Sequence, residues 1–382
     1  MTPEHNNKPI DNVDESLNYI GFDESENHKK HHHHSKKLNR KQKVLLIILF
    51  SIIGLLVAAI IAFLVMTAIG KSQMVINKDV EISTPDDTAN EIISEDSGKT
   101  ISYKGKTYKL NENMTSILCM GIDKSGLETT GSYGANGQAD ANFLMAIDTS
   151  TGKTSIISIN RDAMVDVNVY SQSGDFVATK KQQLCLAFAN GDGGVKSCEN
   201  VMKSVSSLMY GIPVNTFMAI DFDAIGPLND AVGSITVTPP DSFNYQGINF
   251  TKDVPTVLDT PKKALGFVRY RDITVLDSNL ARMQRQKQYL TEYSKAAIKK
   301  TKSDITFPIT LYNLCKGRNI NNLNVSKITF LTSVIMGKKG NANLEFINVE
   351  GTLKKGETIA EFTPDSEKLF ELILKVYYQE QT

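Results

Sequence analysis

The chain has 382 residues, enough for two or three structural units, and its 42 basic and 42 acidic residues give a formal net charge of zero. No basic stripe interleaved with aromatic residues occurs in the large C-terminal part, so we expect no nucleic acid as a partner. All six histidines lie within the first 34 residues, which excludes Ser-His-Asp catalysis, Cys-His catalysis and imidazole zinc sites from the rest of the chain.

An uncharged segment lies near the N-terminus. Residues 44–70 contain no charged side chain, and as a helix they would extend about 40 Å, enough to cross a hydrocarbon core of about 30 Å. A cleaved signal peptide is the competing interpretation, but its apolar part is usually about 7 to 15 residues long and close to the N-terminus. We therefore predict a single transmembrane helix over residues 44–70.

The residues before this helix set its expected orientation. Residues 1–43 are polar, first acidic and then basic, and predict a disordered tail. Seven residues between Lys29 and Lys43 are basic and none is acidic, so the positive-inside rule places the tail in the cytoplasm. We expect a single-pass protein of the cell membrane whose C-terminal part is extracellular.

The extracellular part begins with a polar stretch. Residues 72–113 predict a stalk that ends in a small β element, with a hairpin over 101–110. Beyond it, short apolar runs alternate with segments of helical spacing, which indicates an α/β fold, specifically an α/β sandwich. The predicted strands cover 116–121, 142–148, 155–159, 216–220, 234–237 and 344–349, and the predicted helices cover 193–210, 223–232, 278–300 and 365–377.

Two of the four cysteines lie close in sequence. Cys185 and Cys198 flank a loop and the start of a helix in a compartment expected to be oxidising, and we predict a disulfide between them. Two buried thiols are the alternative.

Arginine is scarce and clustered. Four of the seven arginines fall between positions 269 and 285, and the planar guanidinium grips phosphate oxygens in pairs. Arg269 and Arg271 would point to the same side of a strand, while Arg282 and Arg285 would share one face of the following helix. These side chains could converge on a pyrophosphate; an ion-paired helix face is the alternative.

Two acids follow or precede predicted strands. Asp123 and Asp140 lie at strand ends, where α/β sheets place ligands. A carboxylate pair of this kind suits Mg²⁺, which keeps several waters and bridges phosphate oxygens. An isolated aspartate at such a position is also common as a cap or turn residue.

Several of these segments together resemble one family, the LytR-CpsA-Psr transferases of Gram-positive cell walls. They occur in order between about residues 114 and 290: Gly121–Asp123, Asp140, Ile159–Asp162, Asp221–Gly233, Arg269–Arg271 and Arg282–Gln286. The resemblance implies an outer α/β/α sandwich with a mixed central sheet on a single N-terminal transmembrane helix. It also implies a hydrophobic pocket for a polyprenyl chain, a catalytic domain over 114–300, and a C-terminal α/β part over 301–382 that completes or covers it.

The resemblance further implies roles for individual residues. Asp123 and Asp140 are the expected metal-binding and proton-handling acids. The other implied site residues are Arg161, Arg269, Arg271 and Arg282 as pyrophosphate ligands, the first three also catalytic, Arg285 and Gln286 completing the mouth, and Asp162 orienting Arg161. The sequence departs from the family pattern at Gln138, Asn160, Gln183–Cys185 and Asn279, and Asp277 is expected to supply the acid absent at 279.

The implied activity is Mg²⁺-dependent transfer of a glycopolymer, such as teichoic acid or capsule, from a polyprenyl pyrophosphate carrier to peptidoglycan through a phosphodiester bond. The expected partners are the lipid-linked polymer, peptidoglycan and membrane lipid. A protein that binds the lipid-linked polymer without turnover and an attenuator-like regulator acting through the tail are the two alternatives.

Overall fold

A computed structural model describes residues 39–75, 80–85, 92–127, 132–134, 136–272, 274–275, 278–337, 344–356 and 359–381. The predicted tail up to residue 38 and the predicted supporting residue Asp277 lie outside these described residues. Two compact units divide the chain, Met1–Val57 and Ala58–Thr382, and every described strand lies in the second unit.

The helices are α1 Arg40–Met74, α2 Cys185–Ala189, α3 Val195–Leu208, α4 Ile225–Val232, α5 Pro261–Arg269, α6 Ser278–Ser303, α7 Phe307–Leu314, α8 Val325–Gly337 and α9 Ser366–Tyr377. Helix α1 extends about one turn beyond the predicted span 44–70 at each end. Among the described residues it is the one helix whose length and composition suit a membrane crossing, as expected for an N-terminal anchor.

The strands are β1 Ile92–Glu95, β2 Thr100–Tyr103, β3 Lys106–Leu110, β4 Met114–Ile122, β5 Ala139–Asp148, β6 Thr154–Ile159, β7 Met164–Tyr170, β8 Phe176–Gln183, β9 Thr216–Ile220, β10 Ile235–Val237, β11 Phe243–Tyr245, β12 Ile248–Phe250, β13 Thr256–Leu258, β14 Asn319–Asn321, β15 Leu344–Asn348, β16 Gly351–Lys355, β17 Ala360–Pro364 and β18 Tyr378–Gln381.

The central sheet is mixed. Within the described residues it has six strands in the order β14-β9-β4-β5-β6-β15. The pairs β4–β9 and β6–β15 are parallel and the other pairs are antiparallel. Strands β4 to β6 form because their apolar runs can be buried on both sides, and all six residues of β6 are buried.

Alternation along β4 divides its side chains between two helical layers. Leu118 and Met120 belong to the main core, which includes residues of α2, α3 and α9. Ile117 instead packs against Phe330 of α8, and Cys119 lines a cavity on the same face as α4, α6, α7 and α8. Helices on both faces of a mixed sheet confirm the predicted α/β/α sandwich.

A second, smaller sheet joins the two ends of the outer part. Its described strands run in the order β1-β2-β3-β18, and β2 with β3 form the hairpin expected within 101–110. Strand β18 pairs with β3, Tyr378 lying opposite Leu110. Because β14 and β15 also belong to the central sheet, the section after residue 300 shares sheets with the sections before it.

The strand predicted around Arg269 and Arg271 is wrong. Residues Pro261–Arg269 form α5, which begins at Thr260, whose hydroxyl accepts a hydrogen bond from the Lys263 amide at 3.2 Å. A capping threonine followed by proline starts a helix, and this signal overrides the short Phe267–Arg271 run. Arg269 therefore ends a helix, and Arg271 lies in the loop after it.

Candidate active site

A cavity of about 860 Å³ lies between one face of the central sheet and helices α4, α6, α7 and α8. Its wall is mainly apolar and includes Phe143, Met145, Met218, Ile220, Leu228, Tyr289, Leu290, Tyr293, Ile298, Leu311, Ile328, Leu331 and Ile335. The polar residues that line it include Asp123, Asp140, Arg161, Arg269, Arg271, Arg282 and Gln286, which we call the mouth. A long apolar ligand with a charged end fits this distribution.

Asp140 is at the centre of the mouth. It lies at the start of β5, where one carboxylate oxygen accepts a hydrogen bond from Arg161 and the other accepts one from Arg282 at 2.8 Å. The three side chains are between 6 and 13% exposed. Burial alone would lower the pKa of Arg161, but neighbouring Cys185, Asp140 and Asp162 raise it, so the guanidinium stays charged.

A buried polar network holds these arginines in place. The Asp162 carboxylate accepts hydrogen bonds from Arg161 Nε at 3.2 Å, from Gln183 at 2.9 Å and from Asn279 at 3.1 Å. The Asn279 side-chain oxygen in turn accepts a hydrogen bond from Arg282 at 2.9 Å. Asp162 therefore makes the contact with Arg161 that its predicted role requires, and Asn279 couples that contact to α6.

The remaining mouth residues are more open. Arg269 stacks on Phe222 at 4.0 Å and approaches Asp123 at 3.6 Å, and both charged side chains are nearly half exposed. Arg271 donates a hydrogen bond to the Ser278 hydroxyl at 3.2 Å and forms no salt bridge with any described residue. Burial and the charge of Arg282 lower the pKa of Arg271. A bound anion would offset both effects, because its negative charge stabilises the charged guanidinium.

The structure separates Arg285 from the other arginines and corrects its predicted role. Its side chain is 1% exposed, is absent from the cavity wall, and forms hydrogen bonds with the Asp241 carboxylate at 2.7 and 2.8 Å and with the Phe267 carbonyl oxygen. It also stacks over Phe243 at 4.6 Å. Each of its three guanidinium nitrogens therefore donates to a group within the fold. Gln286, by contrast, does reach the mouth, where it donates to the Val268 carbonyl oxygen.

The predicted disulfide is also corrected. Cys185, Cys198 and the other two cysteines are free thiols, and both members of the predicted pair are fully buried. Cys185 lies at the start of α2, where its sulfur contacts the Arg161 guanidinium at 3.0 Å. The alternative of two buried thiols is therefore correct, since the fold directs Cys185 towards the site instead of towards α3.

Sequence reasoning missed much of the cavity wall. Residues of α7 and α8 lie beyond residue 300, where no motif is present, yet Leu311, Ile328 and Leu331 line the cavity. The available signal was the apolar composition of Val325–Gly337. Gln138 stood out only as a departure from the family pattern, although Gln138 accepts a hydrogen bond from Arg161.

The two acids of the mouth offer few ligands to a divalent cation. Among the described residues no group of three His, Cys, Asp or Glu side chains could hold a metal ion. Both oxygens of Asp140 are engaged by arginines, whereas Asp123 is half exposed. Such a pair fits Mg²⁺ only where ligand phosphate oxygens and water supply most of the coordination.

Comparison with known proteins decides the family. A sequence profile described as the LytR_cpsA_psr family matches residues 77–375. The chain belongs to the LytR-CpsA-Psr family. Its sandwich, its membrane-helix candidate and its order of motifs agree with this membership, which confirms the resemblance drawn from the sequence.

Individual relatives of this LytR-CpsA-Psr protein are distant. The chain is 26% identical over 180 residues to the polyisoprenyl-teichoic acid–peptidoglycan teichoic acid transferase TagU of Bacillus licheniformis, covering 47% of this chain and 51% of TagU. It is 28% identical over 199 residues to Biofilm regulatory protein A of Streptococcus mutans, covering 50% and 46%. The chain thus spans about half the length of these curated relatives.

Among solved structures, TagV of B. subtilis matches with a TM-score of 0.53 and 21% identity, covering 69% of this chain and 96% of TagV. At this identity the match shows the fold alone. The mixed sheet and its helical layers are therefore those of the family.

Proposed function

We propose that this protein transfers a teichoic-acid-type glycopolymer from a polyprenyl pyrophosphate carrier to peptidoglycan. One observation carries the proposal: an apolar cavity of about 860 Å³ is lined at its mouth by the buried Arg161–Asp140–Arg282 cluster and by Arg271. The names of relatives such as TagU support it, because they describe a transfer of this kind.

In the proposed reaction a sugar hydroxyl of peptidoglycan attacks the phosphorus that carries the polymer. A new P–O bond to peptidoglycan forms, the P–O bond to the bridging oxygen breaks, and polyprenyl phosphate leaves with the bond electrons. Arg161, Arg271 and Arg282 neutralise the charge that gathers on the phosphate oxygens. The polyprenyl chain stays in the cavity, where it is kept from water.

The attacking hydroxyl must lose a proton. Both carboxylate oxygens of Asp140 accept hydrogen bonds from guanidinium groups, which hold the side chain in place and leave neither oxygen open to a hydroxyl. Asp123 is nearly half exposed and makes one salt bridge among the described residues, at 3.6 Å, so it is the freer carboxylate. We assign proton acceptance to Asp123 and the orientation of Arg161 and Arg282 to Asp140.

Magnesium dependence is part of the proposal. Asp123 and Asp140 would hold Mg²⁺ together with the substrate phosphates and water, and the ion would add positive charge at the pyrophosphate. We further propose that the protein acts at the outer face of the cell membrane, with its N-terminal tail in the cytoplasm and α1 as the anchor.

A second candidate is a protein that binds lipid-linked polymer without turnover. The observation in its favour is that Asp140 is fully engaged by arginines, and the name Biofilm regulatory protein A shows that relatives include a protein described by regulation. The two candidates differ in whether polyprenyl phosphate is released.

The full chain in proteoliposomes should be incubated with a synthetic polyprenyl pyrophosphate saccharide, peptidoglycan oligomers and Mg²⁺. Saccharide-linked glycan and free polyprenyl phosphate are expected with wild type and should be lost with Arg161→Lys, Asp140→Ala and Asp123→Ala. Lys181→Ala, a change at an exposed lysine, is the matched control. Arginine-dependent lipid binding with no released polyprenyl phosphate would contradict catalysis and support the binding protein.

A further inference from the structure

The last turn of α1 is fastened to the sheet and to α8. The Thr115 hydroxyl of β4 donates a hydrogen bond to the carbonyl oxygen of Met74 at 2.8 Å. Asn324 donates one to Gln73 at 3.0 Å, just before α8 begins. A Cβ atom at Gly70 would collide with the carbonyl oxygen of Ser326, so glycine is required for this close approach.

These contacts fix where a bilayer would end. The uncharged stretch 44–70 stops at Lys71, whose ammonium group belongs in the headgroup region. Thr115, Asn324 and Ser326 contact this part of α1, so the start of β4 and the start of α8 lie beside the end of the uncharged stretch. Val325, between two of these contacts, keeps 48% of its surface exposed although it is apolar.

The mouth lies at the opposite end of β4. Eight residues separate Thr115 from Asp123, which at about 3.4 Å per residue corresponds to about 27 Å. Strand β5 runs back in the opposite direction, with Asp148 paired to Met114 at the anchor end and Ala139 paired to Ile122 beside the mouth. The charged site and the last turn of α1 are thus separated by the length of the central strands.

The side chains on one face of β4 show what lies between the last turn of α1 and the mouth. Ile117 is covered by Met74 and Phe330, Cys119 and Gly121 line the cavity, and Asp123 belongs to the mouth. Helix α8 forms the boundary, because Phe330 and Val334 pack with Met74 while Ile328, Leu331 and Ile335 line the cavity. Helix α8 therefore lies between the last turn of α1 and the cavity.

We propose that the start of α8 rests on the outer surface of the lipid bilayer, so that the mouth is held away from the membrane by the length of β4. The occupant of this surface is the bilayer itself, since α1 leads directly into it. A consequence, which rests on the proposed function, concerns the polyprenyl chain. It enters the cavity past α8 and extends inside the protein from the membrane surface to the mouth.

The test measures depth without any substrate. Val325→Cys and Asp223→Cys, an exposed position beside the mouth, are each labelled with an environment-sensitive fluorophore in the full chain and reconstituted in vesicles. Phosphatidylcholine carrying a headgroup spin label is then added to the vesicle composition. We expect the label at 325 to lose most of its fluorescence and the label at 223 to keep it.

Wild type taken through the same labelling gives the background from the native cysteines, and an unchanged unfolding temperature shows that each variant is folded. Equal quenching at both positions, or none at 325, would overturn the proposal. Either result would leave the transfer assay untouched, because no lipid-linked saccharide is present, so failure of this proposal is distinguishable from failure of the proposed function.

Discussion

The side-chain amide of Asn279 donates a hydrogen bond to the Asp162 carboxylate over 3.1 Å and joins the first turn of α6 to the loop after β6. The same amide group donates to Asn160 at 2.9 Å, and its oxygen accepts from Arg282. An amide can donate to a carboxylate and accept from a guanidinium at once, whereas a carboxylate at this position can only accept. Asn279 can therefore bridge Asp162 and Arg282, which an aspartate at this position could not do.

Replacing Asn279 by aspartate should destabilise the protein. The change places two carboxylates in contact and removes the donor to Asp162, which we expect to lower the free energy of unfolding by about 1–3 kcal/mol. The deficit should shrink as pH falls, because protonation of either carboxylate would remove the repulsion and restore a donor. Urea unfolding at neutral and mildly acidic pH measures it, with the exposed Asn313→Asp as the matched control.

Arg285→Met should unfold more easily than wild type. The substitution removes the hydrogen bonds to the Asp241 carboxylate, which is 36% exposed, and the stacking on Phe243, a loss of about 2 kcal/mol. Lys263→Met breaks a salt bridge with Asp259 in which the two side chains are 32% and 53% exposed, and it should cost less. Denaturant unfolding of both variants is the measurement. Equal losses would show that Arg285 stabilises the fold no more than an exposed ion pair does.

Reducing agent should leave the unfolding temperature unchanged. All four cysteines are free thiols, so no covalent link is present to break. Titration of the denatured protein, prepared without reductant, should yield four thiols per chain. A count of two thiols, together with a lower unfolding temperature after reduction, would instead support the disulfide predicted between Cys185 and Cys198.

Stability should fall as pH rises above the ordinary cysteine value of 9.0 towards 12. Burial raises the pKa of Cys119 to about 12, and burial also raises that of Cys185 to about 12, so the folded state keeps protons that the unfolded state has released. The stabilisation is complete below the unfolded pKa and is lost as pH rises through this window. Cys119→Ala should reduce the slope of unfolding free energy against pH; an unchanged slope would contradict this account.

The central strands could be predicted because their signal is local. Strands β4, β5 and β6 each contain a short run of mainly apolar residues, and burial on both faces is what such runs require. The run around Arg269 is different, since Phe-Val-Arg-Tyr-Arg suits a strand as well as a helix end. Thr260 and Pro261, several residues earlier, decide between the two.

The site could be predicted only in part for a similar reason. Arg161, Arg271 and Arg282 line the mouth as expected. Arg285 instead pairs with Asp241, which is distant in sequence, and the residues of α6 alone do not predict that contact. Sequence spacing likewise places Cys185 near Cys198 along the chain without fixing the direction of either sulfur atom. Long-range contacts determine both outcomes.

The pairing of β18 with β3 affects how the protein is made. More than 260 residues separate Tyr378 from Leu110. The edge of β3 that faces away from β2 therefore stays unpaired until β18 has been synthesised. Such non-local pairings slow folding, and an open strand edge can recruit another chain in the meantime. We expect a chain truncated before Tyr378 to associate more readily than the full chain, because the edge of β3 stays unpaired.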